Sequence, residues 1–121
     1  MLIAILAIVV VCLLVIVFLA RGRHGVVLEG TLQWGFEESA FFPDGDCSNK
    51  PYWWKSPDQH DNDPNARWDA LGKPLAVRVK MLGNVSSVGF YGHLGQYRRE
   101  VQPIKLISVS PGSRCRWLGG H

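Results

Sequence analysis

Residues 2–19 carry no charged side chain and include fifteen Leu, Ile, Val or Phe residues, while every Lys, Arg, Asp and Glu lies from Arg21 onward. Each of these large apolar residues favours insertion near the centre of a bilayer helix by roughly 0.3–0.6 kcal/mol, so the run contributes about 5–9 kcal/mol. At about 1.5 Å per residue, a helix of this length extends roughly 28 Å, close to the ~30 Å hydrocarbon core of a bilayer. The run is therefore read as an uncleaved transmembrane signal anchor over residues 1–20. A cleaved signal peptide is the competing reading. No Lys or Arg precedes the run, however, and Phe18-Leu19-Ala20 lacks the small-x-small pattern of a peptidase site. Cys12 follows Val11 rather than a small residue, which argues against lipid attachment there.

A chain of 121 residues leaves about 100 for everything outside the bilayer, enough for one domain. The expected division is a juxtamembrane linker at 21–25, a small β domain at 26–110 and a C-terminal tail at 111–121. Within 26–36, Val26, Leu28, Leu32 and Trp34 fall on one face and Glu29, Thr31 and Gln33 on the other, the alternation of a half-buried strand. Gly30 and Gly35 interrupt it where a closing sheet would bend. Residues 39–42 read as a second short strand ended by Pro43-Asp44-Gly45-Asp46, and 52–55 as a third. A polar loop over 56–65 closes with Asp63 and Pro64, which start a short helix to Leu71 that Gly72 ends. Leu75, Val77, Val79 and Met81 then alternate with Arg78 and Lys80, and 97–101 and 104–109 complete the β content. Mainly β, with about five strands and a helix before the fourth, this is the order expected of an OB-like five-stranded Greek-key barrel. Closure also removes exposed strand edges from so small a domain.

Two local features bear on the side of the membrane, and they disagree. Arg21 and Arg23 directly after the span would hold the domain in the cytoplasm by the positive-inside tendency. Cys47 and Cys115 would instead pair in an oxidising compartment, and two unrelated free thiols is the alternative. The export reading places the chain in a bacterial inner membrane, single pass, with the β domain outside the cytoplasm.

Gly35-Phe36-Glu37-Glu38-Ser39-Ala40-Phe41, then Trp53-Trp54, then Gly92-His93-Leu94-Gly95-Gln96-Tyr97-Arg98-Arg99-Glu100 together resemble a group of small bacterial envelope domains. Many of these are lipoprotein-like, and the resemblance spans residues 30–109. It implies an extracytoplasmic β domain and brings no assigned activity. The uncleaved anchor departs from the lipoprotein members.

The densest polar cluster is 92–100. Arg98 and Arg99 can grip an anionic group, Tyr97 can stack on a ring and His93 can donate a hydrogen bond. The structural alternative is an ion pair of Glu37 with Arg99 or Arg98, with His93 fixing the loop, so that the cluster clasps a glycine-rich segment. Trp53 and Trp54 are adjacent, so in a strand they face opposite ways. One enters the core and the other, beside Tyr52, is a candidate platform for a sugar, peptide or lipid headgroup. His60-Asp61-Asn62-Asp63 lacks the spacing of a calcium or zinc site, and no P-loop, dinucleotide fingerprint or Ser-His-Asp set is present. No catalytic residue, metal or cofactor is therefore assigned.

The candidate binding set is Tyr52, Trp53, Trp54, His93, Tyr97, Arg98 and Arg99. The expected partners are the lipid bilayer through residues 2–19 and an envelope protein or small ligand. Nucleic-acid binding by a cytoplasmic OB-like domain is the second reading, disfavoured by a net charge of only +3. A hydrolase, resting on His93 and nearby carboxylates, ranks third.

Overall fold

The computed structural model describes residues 1–35, 38–44, 47, 50–57, 63–68, 70–72 and 74–115. A helix, α1 (Leu2–Ala20), is followed by five strands: β1 (Arg23–Gly35), β2 (Glu38–Pro43), β3 (Tyr52–Trp54), β4 (Ala76–Val85) and β5 (Glu100–Pro111). α1 is apolar on every side, and none of its side chains is buried by the rest of the chain. It is long and apolar enough to span a membrane. Its many β-branched residues disfavour a helix in water only mildly. In lipid, a helix is the one local structure that satisfies every backbone group within its own segment.

The strands pair in a closed ring, β1-β2-β3-β5-β4, with β4 returning to β1. All neighbours are antiparallel except β3 and β5, which run parallel through Trp53↔Glu100 and Trp54↔Val101. The inner face carries Leu28, Leu32, Phe41, Trp54, Val77, Val79, Met81, Val85, Val101 and Leu106. The Phe41 and Trp54 rings lie 6.0 Å apart between centroids. Trp54 fills this volume with an indole Nε1–H that has no hydrogen-bond partner among the described residues.

β5 departs from simple alternation twice. Its register against β4 skips Ile107 between Lys80 and Met81, and Ile104 between Leu82 and Gly83. Each bulge adds an unpaired residue and bends the strand around the ring. Ile104 and Ile107 are consequently exposed. The two strands expected at 97–101 and 104–109 are thus one bent strand that starts at Glu100.

The outer face differs from the expected half-buried pattern. Thr31 and Gln33, read as solvent-facing, are 6% and 1% exposed. A second apolar cluster of Ala40, Phe42, Tyr97 and Cys115, with Trp53 and Tyr91 against it, covers the outer side of β2 and β3. Other boundaries also move. β1 begins at Arg23, paired with Val85, inside the segment expected as a linker. The tail expected from 111 is still paired at Pro111 and returns to the ring at Cys115. The short helix before β4 is a 3-10 turn, Pro64–Arg67. Hydrogen bonds from Leu71 N–H to Arg67 and Trp68 carbonyls extend it as turns, and Gly72 ends them at φ 84°.

Trp54→Ala should empty the ring interior and lower stability by about 3–5 kcal/mol in denaturant titration. Trp54→Phe keeps a ring and removes the unpaired donor, and should cost much less.

Candidate functional site

The segment between β4 and β5 is a tightly bonded loop. Tyr91 and Tyr97 exchange backbone hydrogen bonds of 2.8 and 3.1 Å, and Gly89 N–H donates to the Arg98 carbonyl at 2.9 Å. The Tyr91 hydroxyl donates to the Ser87 carbonyl at 2.8 Å. Gly92 sits at φ 69° against the Trp53 indole, so closely that a Cβ there would collide with the ring. Trp53 meets Tyr97 edge-on, with centroids 5.1 Å apart, and Tyr97 is buried.

This geometry redistributes the sequence-derived candidates. Trp54 lies in the ring interior, and Tyr52 packs at the mouth of the ring beside the helix. Trp53 and Tyr97 are engaged with each other and with the loop that covers β2 and β3, so the indole expected as an open platform has the loop against it. His93 is half-buried where the loop turns, with its backbone carbonyl accepting from Gln96 N–H at 3.3 Å. Arg98 alone of this set points fully outward, its guanidinium 4.5 Å from the Phe90 ring centroid. Beside it, Phe90 and Leu94 are 75% and 80% exposed, and Leu94 holds a left-handed backbone at φ 55°.

Arg99 points the other way, to the end of α1. Its Nη2 donates to the Leu19 carbonyl at 2.7 Å. Its Nη1 donates to the carbonyls of Arg21 at 3.1 Å and Ser86 at 2.9 Å. The final carbonyls of a helix have no partner within it and carry its partial negative charge, so a guanidinium fork is a well-matched cap. Val88 N–H donates to the Ala20 carbonyl at 2.8 Å and makes a second bond across the same junction. Gly22 lies where a Cβ would strike the Val85 carbonyl and the Ser87 amide, so only glycine lets the two backbones approach this closely. Glu37, the expected partner of Arg99, lies outside the described residues.

The C-terminal segment is held on the outer face. Cys47 and Cys115 form a disulfide with Cα atoms 5.3 Å apart and a sequence separation of 68. The Gln33 side chain accepts from Cys115 N–H at 2.7 Å and donates to the Cys115 carbonyl at 3.0 Å. The Arg114 guanidinium reaches the Trp34 carbonyl at 2.7 Å. The buried amide therefore satisfies the backbone of the residue that the disulfide fixes.

No family model, curated protein or solved structure matches the chain. The site must therefore be read from its own chemistry. Among the described residues, no three His, Cys, Asp or Glu side chains are grouped to hold a metal ion. Sequence reasoning missed Gln33, Phe90 and Leu94. The run Ala40-Phe41-Phe42, apolar at consecutive positions, was the available signal that both faces of β2 are covered.

Two outcomes follow. Arg99→Ala should cost roughly 2–3 kcal/mol through lost charge-assisted bonds, and Arg99→Lys should recover only part of this because an ammonium lacks the fork. Denaturant titration in detergent reads both. Alkylation of the denatured chain should modify one thiol, Cys12, without reductant and all three cysteines with it. Reduction should remove about 4 kcal/mol of stability on the chain-entropy account of a loop this long.

Proposed function

We propose that this chain is a membrane-tethered, non-catalytic binding or assembly module of the bacterial envelope, built on an OB-like barrel and facing the extracytoplasmic side. The ring order, the parallel β3–β5 pairing and the short helix before β4 support the OB-like reading. The Cys47–Cys115 disulfide supports an oxidising compartment and outweighs two juxtamembrane arginines, since disulfides are rare in the cytosol. The likeness of 35–41, 53–54 and 92–100 to envelope domains agrees with it. Tethering raises local concentration, so a modest surface suffices for binding.

The partner surface in this reading is the loop tip of Phe90, Leu94 and Arg98, with His93 at its base. One observation carries it. A leucine held at φ 55° and 80% exposed costs on the order of 1–2 kcal/mol of backbone energy and buries nothing in return within the chain. Such a residue on a loop pinned from beneath by Trp53 and Tyr97 is suited to contact with something outside it.

The strand order also favours a second reading, oligonucleotide binding, because the β2–β3 face of OB domains is where such ligands bind. Here that face is occupied by Tyr97, Tyr91 and Cys115 from the chain itself, and the net charge is +3. The tethered-module reading therefore predicts no oligonucleotide binding even at low salt.

A photoreactive amino acid at position 90, activated in intact cells, should give one discrete adduct. The same probe at exposed Lys105 should give none. Leu94→Asn, which suits a left-handed backbone, should weaken the adduct several-fold without lowering the melting temperature. Absence of an adduct from position 90, or identical products from both positions, would contradict the proposal.

A further inference from the structure

Where the end of α1 meets the ring, a cleft of about 260 Å³ is lined by Phe18, Leu19, Arg21, Arg23, Tyr52 and Arg99. Among the described residues, the lining combines three guanidinium groups, a phenol and two apolar side chains, with no carboxylate. It is assembled from three stretches of the sequence: the helix end running into the start of β1, β3, and the residue just before β5. Phe18 and Leu19 are 59% and 65% exposed, and they belong to the last turn of the spanning segment. Arg21 and Arg23 are exposed and follow it directly. The Arg21 guanidinium lies 4.2 Å from the Phe18 ring centroid, which keeps its charge at the boundary between the apolar and the cationic halves of the cleft.

We infer that this cleft binds an anionic phospholipid from the surrounding leaflet. The inference rests on the reading of α1 as a membrane span and goes beyond it, since a span needs only hydrocarbon while this site selects a headgroup. In this arrangement the lipid phosphate sits between Arg21 and Arg23, since a guanidinium offers paired N–H donors that match phosphate oxygens. Tyr52 donates its hydroxyl from the ring side, and the acyl chains run down the helix over Leu19 and Phe18. Arg99 is committed to the helix carbonyls and contributes charge rather than a direct bond. The occupant follows from position: the apolar half of the cleft continues the surface that faces the bilayer, and the cationic half stands at headgroup depth. The volume falls just below the ~300 Å³ at which small-molecule clefts begin, a size for a headgroup rather than for a whole lipid.

The test uses the full chain in phosphatidylcholine vesicles containing a trace of spin-labelled phosphatidylglycerol or spin-labelled phosphatidylcholine. The readout is the motionally restricted lipid fraction. Phosphatidylglycerol should be preferred by at least about five-fold, the effect expected of one arginine near an anionic surface. Arg21→Gln with Arg23→Gln should abolish the preference. Tyr52→Phe should reduce it at least two-fold with an unchanged melting temperature, and Arg98→Gln, outside the cleft, should leave it intact. Free glycerol phosphate at millimolar concentration should not compete, because it lacks the acyl chains.

Equal restriction of the two lipids would overturn the site. So would a preference lost in the arginine pair but indifferent to Tyr52→Phe, which would mean a diffuse cationic collar. Displacement by glycerol phosphate would also overturn it, by indicating a soluble phosphate site. Extraction of the chain by alkaline carbonate would remove the spanning reading itself, and that outcome is separate from any lipid preference.

Discussion

The hydrogen bonds from Arg99 to the carbonyls of Leu19 and Arg21 join the mainly-β ring to a helix long and apolar enough to span a membrane. A spanning helix ends with carbonyls that must find donors at the interface, and water or lipid headgroups would ordinarily supply them. Here the donor comes from the β domain. The same guanidinium also bonds the Ser86 carbonyl, so the start of the β4–β5 loop is tied to the helix end through one side chain. With Val88 N–H on the Ala20 carbonyl and no room for a side chain at Gly22, the ring leaves the helix without a free linker. The cleft beside Tyr52 lies at this joint.

The second organising constraint is the double covering of β2 and β3. Phe41 and Trp54 point into the ring, and their neighbours Phe42 and Trp53 point out, yet both sets are enclosed. The outer cover has two parts that meet over Ala40 and Phe42: the Tyr91–Tyr97 loop and the segment ending at Cys115. Gln33 and the disulfide hold the second part. A small domain gains apolar burial this way that a single interior of its size cannot provide. The consequence is that the outer face of β2 and β3 is filled by the chain itself.

Much of the architecture was legible because it rests on local pattern. The apolar run gave α1, alternation gave β1 and β4, and Pro64 marked the start of the short helix, which ends at Arg67 and continues as turns to Gly72. What was not legible depends on contacts distant in sequence. Gln33 on a polar face carries no mark of its partner 82 residues away, and the bulges at Ile104 and Ile107 shift a period-two pattern without altering composition. The candidate site was half legible for the same reason. The 92–100 cluster was visible as polar density, but the backbone path that turns Arg98 outward and Arg99 toward the helix runs through the bonds of Gly89 N–H to the Arg98 carbonyl and Trp53 N–H to the Arg99 carbonyl, and through the fit of Gly92 under Trp53. Phe90 and Leu94, apolar residues in a glycine-rich stretch, drew no assignment because composition does not show which way a loop side chain faces.

The central claim is that helix and ring form one rigid joint capped by Arg99. Electron–electron distance measurement between a spin label on the free Cys12 and one on a cysteine introduced at Lys105, with the chain in lipid nanodiscs, addresses it directly. The joint predicts a single narrow distribution that broadens several-fold in Arg99→Ala. A broad distribution in the unaltered chain, indifferent to position 99, would contradict it and return residues 21–25 to the role of a flexible linker.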